Sequence, residues 1–162
     1  MIQIKEQIAE ALDSPAVRSG WRGIKDESGN CFAAAFWIAM AAKQAGYQPV
    51  VVHGSPTLAR SPYDKYAHAW VEVSVPLRQM FGPAVVGFED EGFPILGFAG
   101  AQFPIVIDYS NGLSAVLPAS AYYSIGKIEE RACKRYSIAD LVKRAARTEH
   151  YGPYHRNSGR TL

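Results

Sequence analysis

Three residues of this 162-residue chain, Cys31, His68 and Asp108, carry side chains that could form and break bonds with one another's help. Cys31 stands in "GNCFAAAFW", His68 in "YAHAWVEV" and Asp108 in "PIVIDYSNG", each at the border of a run that otherwise reads as core. A thiol is a poor nucleophile until it ionises, and an adjacent imidazolium or the positive end of a helix dipole stabilises the thiolate. Imidazole can then protonate a leaving group. A carboxylate bonded to the far ring nitrogen fixes the tautomer. If Cys31 opens a helix, its backbone N–H has no acceptor within that helix and can donate to a developing oxyanion. Brought to one end of a fold, the three make a nucleophile, a base and an orienter.

Each residue also has an ordinary reading. An isolated buried cysteine packs as a small hydrophobe, a strand histidine is commonly structural, and Asp108 before "YSNG" suits an Asx-type turn. Their shared position at element edges is what those readings leave unexplained. A zinc site is a further alternative, because Cys31, His53, His68 and Asp108 are all ligand types, but no CxxC or HExxH spacing accompanies them. No metal and no cofactor is therefore expected.

The surrounding elements must position these side chains. Ile4, Ile8 and Leu12 recur at helical spacing in an amphipathic first helix. "DSPAVRSGWRGIKDESGN" is rich in turn-favouring residues and reads as a loop. From Cys31 to Ala45 the chain is apolar on almost every side and stops at Gly46, which describes a buried helix with a glycine terminator. Asn30 fits its N-cap, putting Cys31 in the first turn.

Three segments rich in β-branched or aromatic residues follow, "YQPVVVHG", "HAWVEVSV" and "FPIVIDYS". The second alternates, with His68, Trp70, Glu72 and Ser74 on one face and Ala69, Val71, Val73 and Val75 on the other. The Gly- and Pro-punctuated stretch over 76–104 suits a hairpin or flap. A further strand or two is expected between Tyr122 and Tyr136. "SIADLVKRAART" makes a last helix, with Ser137 and Asp140 at capping-box spacing. The expected architecture is α+β: a buried helix carrying the cysteine against an antiparallel sheet, with a terminal helix. One domain over 1–150 and a flexible tail over 151–162 complete it.

The segments "GNCFAAAFWIAMAAKQAGYQPVVVHG", "YAHAWVEV" and "PIVIDYSNG" resemble the transglutaminase-like branch of the papain-like cysteine peptidase superfamily. In that branch a helix-opening Cys, a His in an "HAW-x-E" strand and an Asp in a "V-x-D" strand form a triad. The resemblance runs from Gly29 to Gly112, about half of the chain. It implies a papain-like core, with Cys31 as nucleophile, His68 as general base and acid, and Asp108 as orienter. It also implies chemistry at a carboxamide or acyl carbonyl: peptide hydrolysis, glutamine deamidation or acyl transfer to an amine. The chain departs from the pattern in the longer stretch between His68 and Asp108. No motif designates a side-chain oxyanion donor; Trp21, Ser28 and Asn30 precede Cys31, and Trp70 shares the face of His68.

Other residues carry weaker claims. His53 in "VVVHG" suits either the cleft lining or a backbone-bonded strand end. Glu72 reads as a partner of the site or as an exposed carboxylate, and Cys133 as a packing residue. Hydrophobic residues at 48% and charged residues at 20% describe a globular chain. With two cysteines and no secretory signal pattern at the start, a cytoplasmic protein without disulfides is expected. A net charge of +2 with no recognition motif argues against nucleic acid, and the longest apolar run is too short for a membrane span. The expected partner is a protein or peptide substrate. The alternative is a catalytically silent domain of the same fold that binds protein, using the 76–104 stretch and the basic terminal helix with Lys143 and Arg144.

Overall fold

A computed structural model describes residues 2–24, 30–58, 61–76, 102–110 and 115–153. Its helices are α1 (Ile2–Leu12), α2 (Pro15–Arg22), α3 (Cys31–Gln44), α4 (Ala119–Ile125) and α5 (Ile138–Thr148). The strands are β1 (Pro49–Gly54), β2 (Thr57–Leu58), β3 (Ser61–Lys65), β4 (His68–Pro76), β5 (Gln102–Asp108), β6 (Ala115–Pro118) and β7 (Lys134–Tyr136). Five of these strands form one antiparallel sheet in the order β6-β5-β4-β1-β7, and β2 and β3 pair separately. The chain is thus α+β, with the three expected core strands β1, β4 and β5 adjacent at the centre.

The alternation of β4 sorts its side chains between two packed layers. Ala69, Val71, Val73 and Val75 join Val51, Ile105 and Ile107 in a core closed by Ile4 and Ile8 of α1 and by Phe32, Ala35 and Ile38 of α3. On the other face Trp70 packs with Val52, Val106 and Ala119, flanked by Tyr122 and Tyr123 of α4. That face is therefore covered around His68 and Trp70, both buried, while Ser74 at its far end is exposed.

α3 carries little amphipathic pattern because it is enclosed, with nine of its fourteen residues buried. It ends in a Schellman arrangement: Tyr47 N–H donates to the Ala42 carbonyl and Gly46 N–H to that of Lys43, both at 3.0 Å. Gly46 supplies the required positive φ of 91°. At its start Asn30 holds the N-cap position, and its carbonyl accepts from Ala34 N–H at 2.8 Å. The expected side-chain cap is not formed. Asn30 has φ −89° and ψ 25°, outside the extended region from which a cap side chain reaches back to the first turn.

Two further expectations give way. Residues 15–22, read as loop, form α2, since Pro15 sits at the helix start where its missing N–H costs nothing, and Val17 is buried on the core. Tyr122 to Ile125, read as strand, belong to α4; only Lys134–Tyr136 of that stretch pair as a strand. Of the tail expected over 151–162, residues 154–162 lie outside the described residues, and Tyr151 stacks on Phe36 at 4.4 Å between ring centroids. Of the 76–104 stretch expected as a hairpin or flap, Pro76 ends β4 and Gln102–Pro104 belong to β5, while 77–101 lie outside the described residues.

α5 begins as expected. Ser137 Oγ accepts from Asp140 N–H at 3.1 Å, and the Asp140 carboxylate accepts from Ser137 N–H at 3.4 Å. No helix among the described residues is long and apolar enough to cross a membrane.

Candidate active site

The strand register brings the histidine and the aspartate together. Val71 of β4 lies opposite Ile107 of β5, so Asp108 projects from the same sheet face as Trp70 and His68. His68 Nε2 lies 2.8 Å from Asp108 Oδ2. An ionised carboxylate only accepts, so Nε2 is the donor and the proton that titrates is on Nδ1.

Asp108 is held by four donors. Its Oδ1 accepts from the Ser110 backbone N–H at 3.1 Å and the Ser110 hydroxyl at 2.6 Å, forming the Asx-type turn that "DYSN" allows. Its Oδ2 accepts from His68 and from the Tyr122 hydroxyl at 2.7 Å. The turn and the histidine contact use different oxygens of one carboxylate. Asp108 therefore closes the turn with one oxygen and meets His68 with the other.

Cys31 opens α3 at the level where β4 begins. His68 Nδ1 is buried without a conventional hydrogen-bond partner, and the Cys31 thiol lies close enough to favour the charged ring. The sulfur thus acts on the imidazole without a well-directed hydrogen bond. Cys31 is 5% exposed, His68 1% and Asp108 0%. All three side chains are buried.

Opposing forces set the charge state. Burial disfavours the imidazolium, but the Asp108 hydrogen bond, the Cys31 thiol and the Asp108 charge outweigh it, raising the His68 pKa to about 9. Burial likewise works against the Asp108 carboxylate, and the bond and charge of His68 with the Ser110 and Tyr122 donors keep its pKa below the usual value. The neutral-pH state is an ion pair, His68 protonated and Asp108 ionised. Burial, then the Asp108 charge, push the Tyr122 phenol up, so it remains a donor.

Sequence reasoning assigns no role in the site to Ser110, Tyr122 or Tyr66. Tyr66 places its ring 5.3 Å from that of His68. The turn signal in "YSN" marks Ser110, whereas nothing local marks Tyr122, which arrives from a helix fourteen residues beyond Asp108.

The remaining candidates separate. Asn30 adjoins Cys31, Trp21 packs against the main core, and Ser28 lies outside the described residues. Trp70 Nε1–H donates to Glu72 Oε1 at 3.4 Å, so this N–H is turned to Glu72 and not to an oxyanion. Glu72 belongs to a separate network with Tyr123 and Arg135. His53 packs between Phe32 and Tyr136, each ring 4.7 Å away. Burial, then Lys134 and Arg144, lower its pKa to about 4. Cys31 and Cys133 are both free thiols. Among the described residues no group of three or more His, Cys, Asp or Glu is placed to hold a metal. Comparisons with protein-family models, curated proteins and solved structures give no match for this chain.

Proposed function

We propose that this chain is a cysteine-dependent hydrolase or acyltransferase acting on a protein or peptide amide, built on a papain-like, transglutaminase-like core. The observation that carries the reading is the buried His68 to Asp108 pair at 2.8 Å, with the Cys31 thiol acting on the same ring. Two adjacent strands and a helix start, far apart in sequence, supply one nucleophile, one base and one orienter.

In the proposed reaction the Cys31 proton resides on His68 Nδ1, and the thiolate attacks the carbonyl carbon. Carbon and sulfur bond while the carbonyl π pair moves to oxygen, where the first-turn N–H of Cys31 can donate to it. Collapse of that adduct expels the amine, which takes the proton from His68 and leaves a thioester. Water or a second amine then attacks the thioester, giving its proton to His68, and expulsion of the Cys31 thiolate beside the His68 imidazolium restores the starting pair. Asp108 keeps the ring oriented and its charge balanced throughout.

Iodoacetamide labelling at pH 6 tests this reading in wild type, Cys31→Ala and His68→Ala. Cys31 should react at least about tenfold faster than an unactivated thiol, and His68→Ala should remove that advantage. A Cys31 that reacts no faster than a free thiol, or whose rate ignores His68→Ala, overturns it. The near-closure of Cys31, 5% exposed, favours in that event the second reading, a protein-binding domain without catalysis.

A further inference from the structure

Two neighbouring tyrosines of α4 each reach a carboxylate on the same sheet face. Tyr122 OH donates to Asp108 Oδ2 at 2.7 Å and Tyr123 OH to Glu72 Oε1 at 2.5 Å. Both contacts put a neutral phenol on an anionic oxygen and latch α4 onto the sheet, and the Tyr123 hydroxyl also accepts from Arg135 Nη2 at 3.2 Å. Only the first touches the group that orients His68.

Asp108 Oδ2 is the oxygen His68 Nε2 uses, so Tyr122 and His68 share one acceptor atom. Oδ1 is fully engaged by Ser110, which leaves Oδ2 as the oxygen whose basicity the imidazole feels. A carboxylate oxygen accepting two hydrogen bonds offers less negative charge to each donor than one accepting a single bond. The Tyr122 ring is itself held, 5.4 Å from Trp70, with Trp70 packed 6.2 Å from His68. The phenol is therefore aimed by the same aromatic layer that backs the histidine.

We infer that Tyr122 is a positioning residue of the site, fixing Asp108 Oδ2 against His68 while drawing off part of its negative charge. Its catalytic meaning rests on the proposed Cys31 chemistry; its effect on His68 does not. Tyr122 touches neither the thiol nor an attacked carbonyl in this scheme. It acts by keeping the imidazolium from being so stable that it no longer releases its proton to a leaving group.

The test is an NMR titration of the histidine rings in the full-length wild type, Tyr122→Phe and Tyr123→Phe proteins. Tyr122→Phe keeps the ring and its packing and removes one donor, so Asp108 Oδ2 serves His68 alone. The His68 midpoint should rise by about half a pH unit or more. Tyr123→Phe removes a phenol–carboxylate bond, together with an Arg135 contact, from the same helix and should leave that midpoint within about 0.2 unit, which controls for a merely structural loosening of α4. An unchanged or lowered midpoint in Tyr122→Phe, or an equal rise in both variants, overturns the inference. Iodoacetamide labelling separates the two claims: an inert Cys31 beside a raised His68 midpoint removes the proposed function and leaves Tyr122 in its role.

Discussion

A carboxylate without solvent exposure stays ionised only where donors replace the water it has lost, and Asp108 has them on both oxygens. Its charge, with the Cys31 thiol, lets a buried imidazole carry a proton against the pull of desolvation. Asp108→Asn isolates that charge. The amide oxygen can still accept from Nε2, but the anion is gone, burial then dominates, and the His68 midpoint should fall from about 9 to below its unperturbed value. The same histidine NMR titration measures it, and Cys31 labelling at pH 6 should slow by about tenfold or more. At this scale the proximity of Cys31, His68 and Asp108 was legible because each borders an apolar run with a chemically active group. Tyr122 was not, because its importance lies in a contact across the sheet that no local pattern encodes. Asn30 misled for the complementary reason: its type suits a cap, but its backbone does not present the side chain.

The elements that hold the site were read where burial leaves a pattern. α3, β1, β4 and β5 are apolar enough, and of distinct enough period, for helix and strand to be told apart. α2 hid behind Ser, Gly and Arg because its eight residues bury little beyond Val17. α4 hid because its tyrosines have strand propensity, which packing over Trp70 overrides. Two glycines show how differently helices can depend on this residue. Gly20 lets α2 approach α3 so closely that a Cβ would lie 2.0 Å from Trp37 Cζ2, whereas a Cβ on Gly46 meets nothing within 4 Å. Gly46→Ala should therefore cost only backbone strain, about 1 kcal/mol, and Gly46→Asn less. Gly20→Ala should cost more, about 1–3 kcal/mol or above, because Trp37 is half-buried and must move or push the helices apart. Urea denaturation of the three variants gives the order, and a Gly20→Ala protein as stable as Gly46→Ala would show that α2 does not dock as described.

At the scale of the whole molecule, two buried histidines on opposite sheet faces make stability depend on pH in opposite senses. The layered α+β arrangement was readable as a helix on a sheet; the second covered face was not, and it is the face that seals His68. There the folded pKa is raised from 6.5 to about 9, so the folded state binds the proton more tightly than the unfolded chain. Its contribution is fully present below pH 6.5 and is lost as pH rises through about 9. His53, between Phe32 and Tyr136 on the α3 side, is lowered from 6.5 to about 4. The unfolded chain takes up that proton first, so the contribution of His53 is full above pH 6.5 and is lost as pH falls toward 4. Asp108, with its pKa lowered, adds to the acid loss only as pH falls through its folded value, below the usual carboxylate range. Urea midpoints measured from pH 4 to 10 should therefore form a dome with separable sides. His53→Gln should flatten the decline between pH 6.5 and 4 and leave the alkaline side in place, while His68→Gln should do the reverse, even if each variant is less stable at neutral pH. A dome whose alkaline side survives His68→Gln would mean that the imidazolium is not held by Asp108, and the ion pair on which the site depends would fall with it.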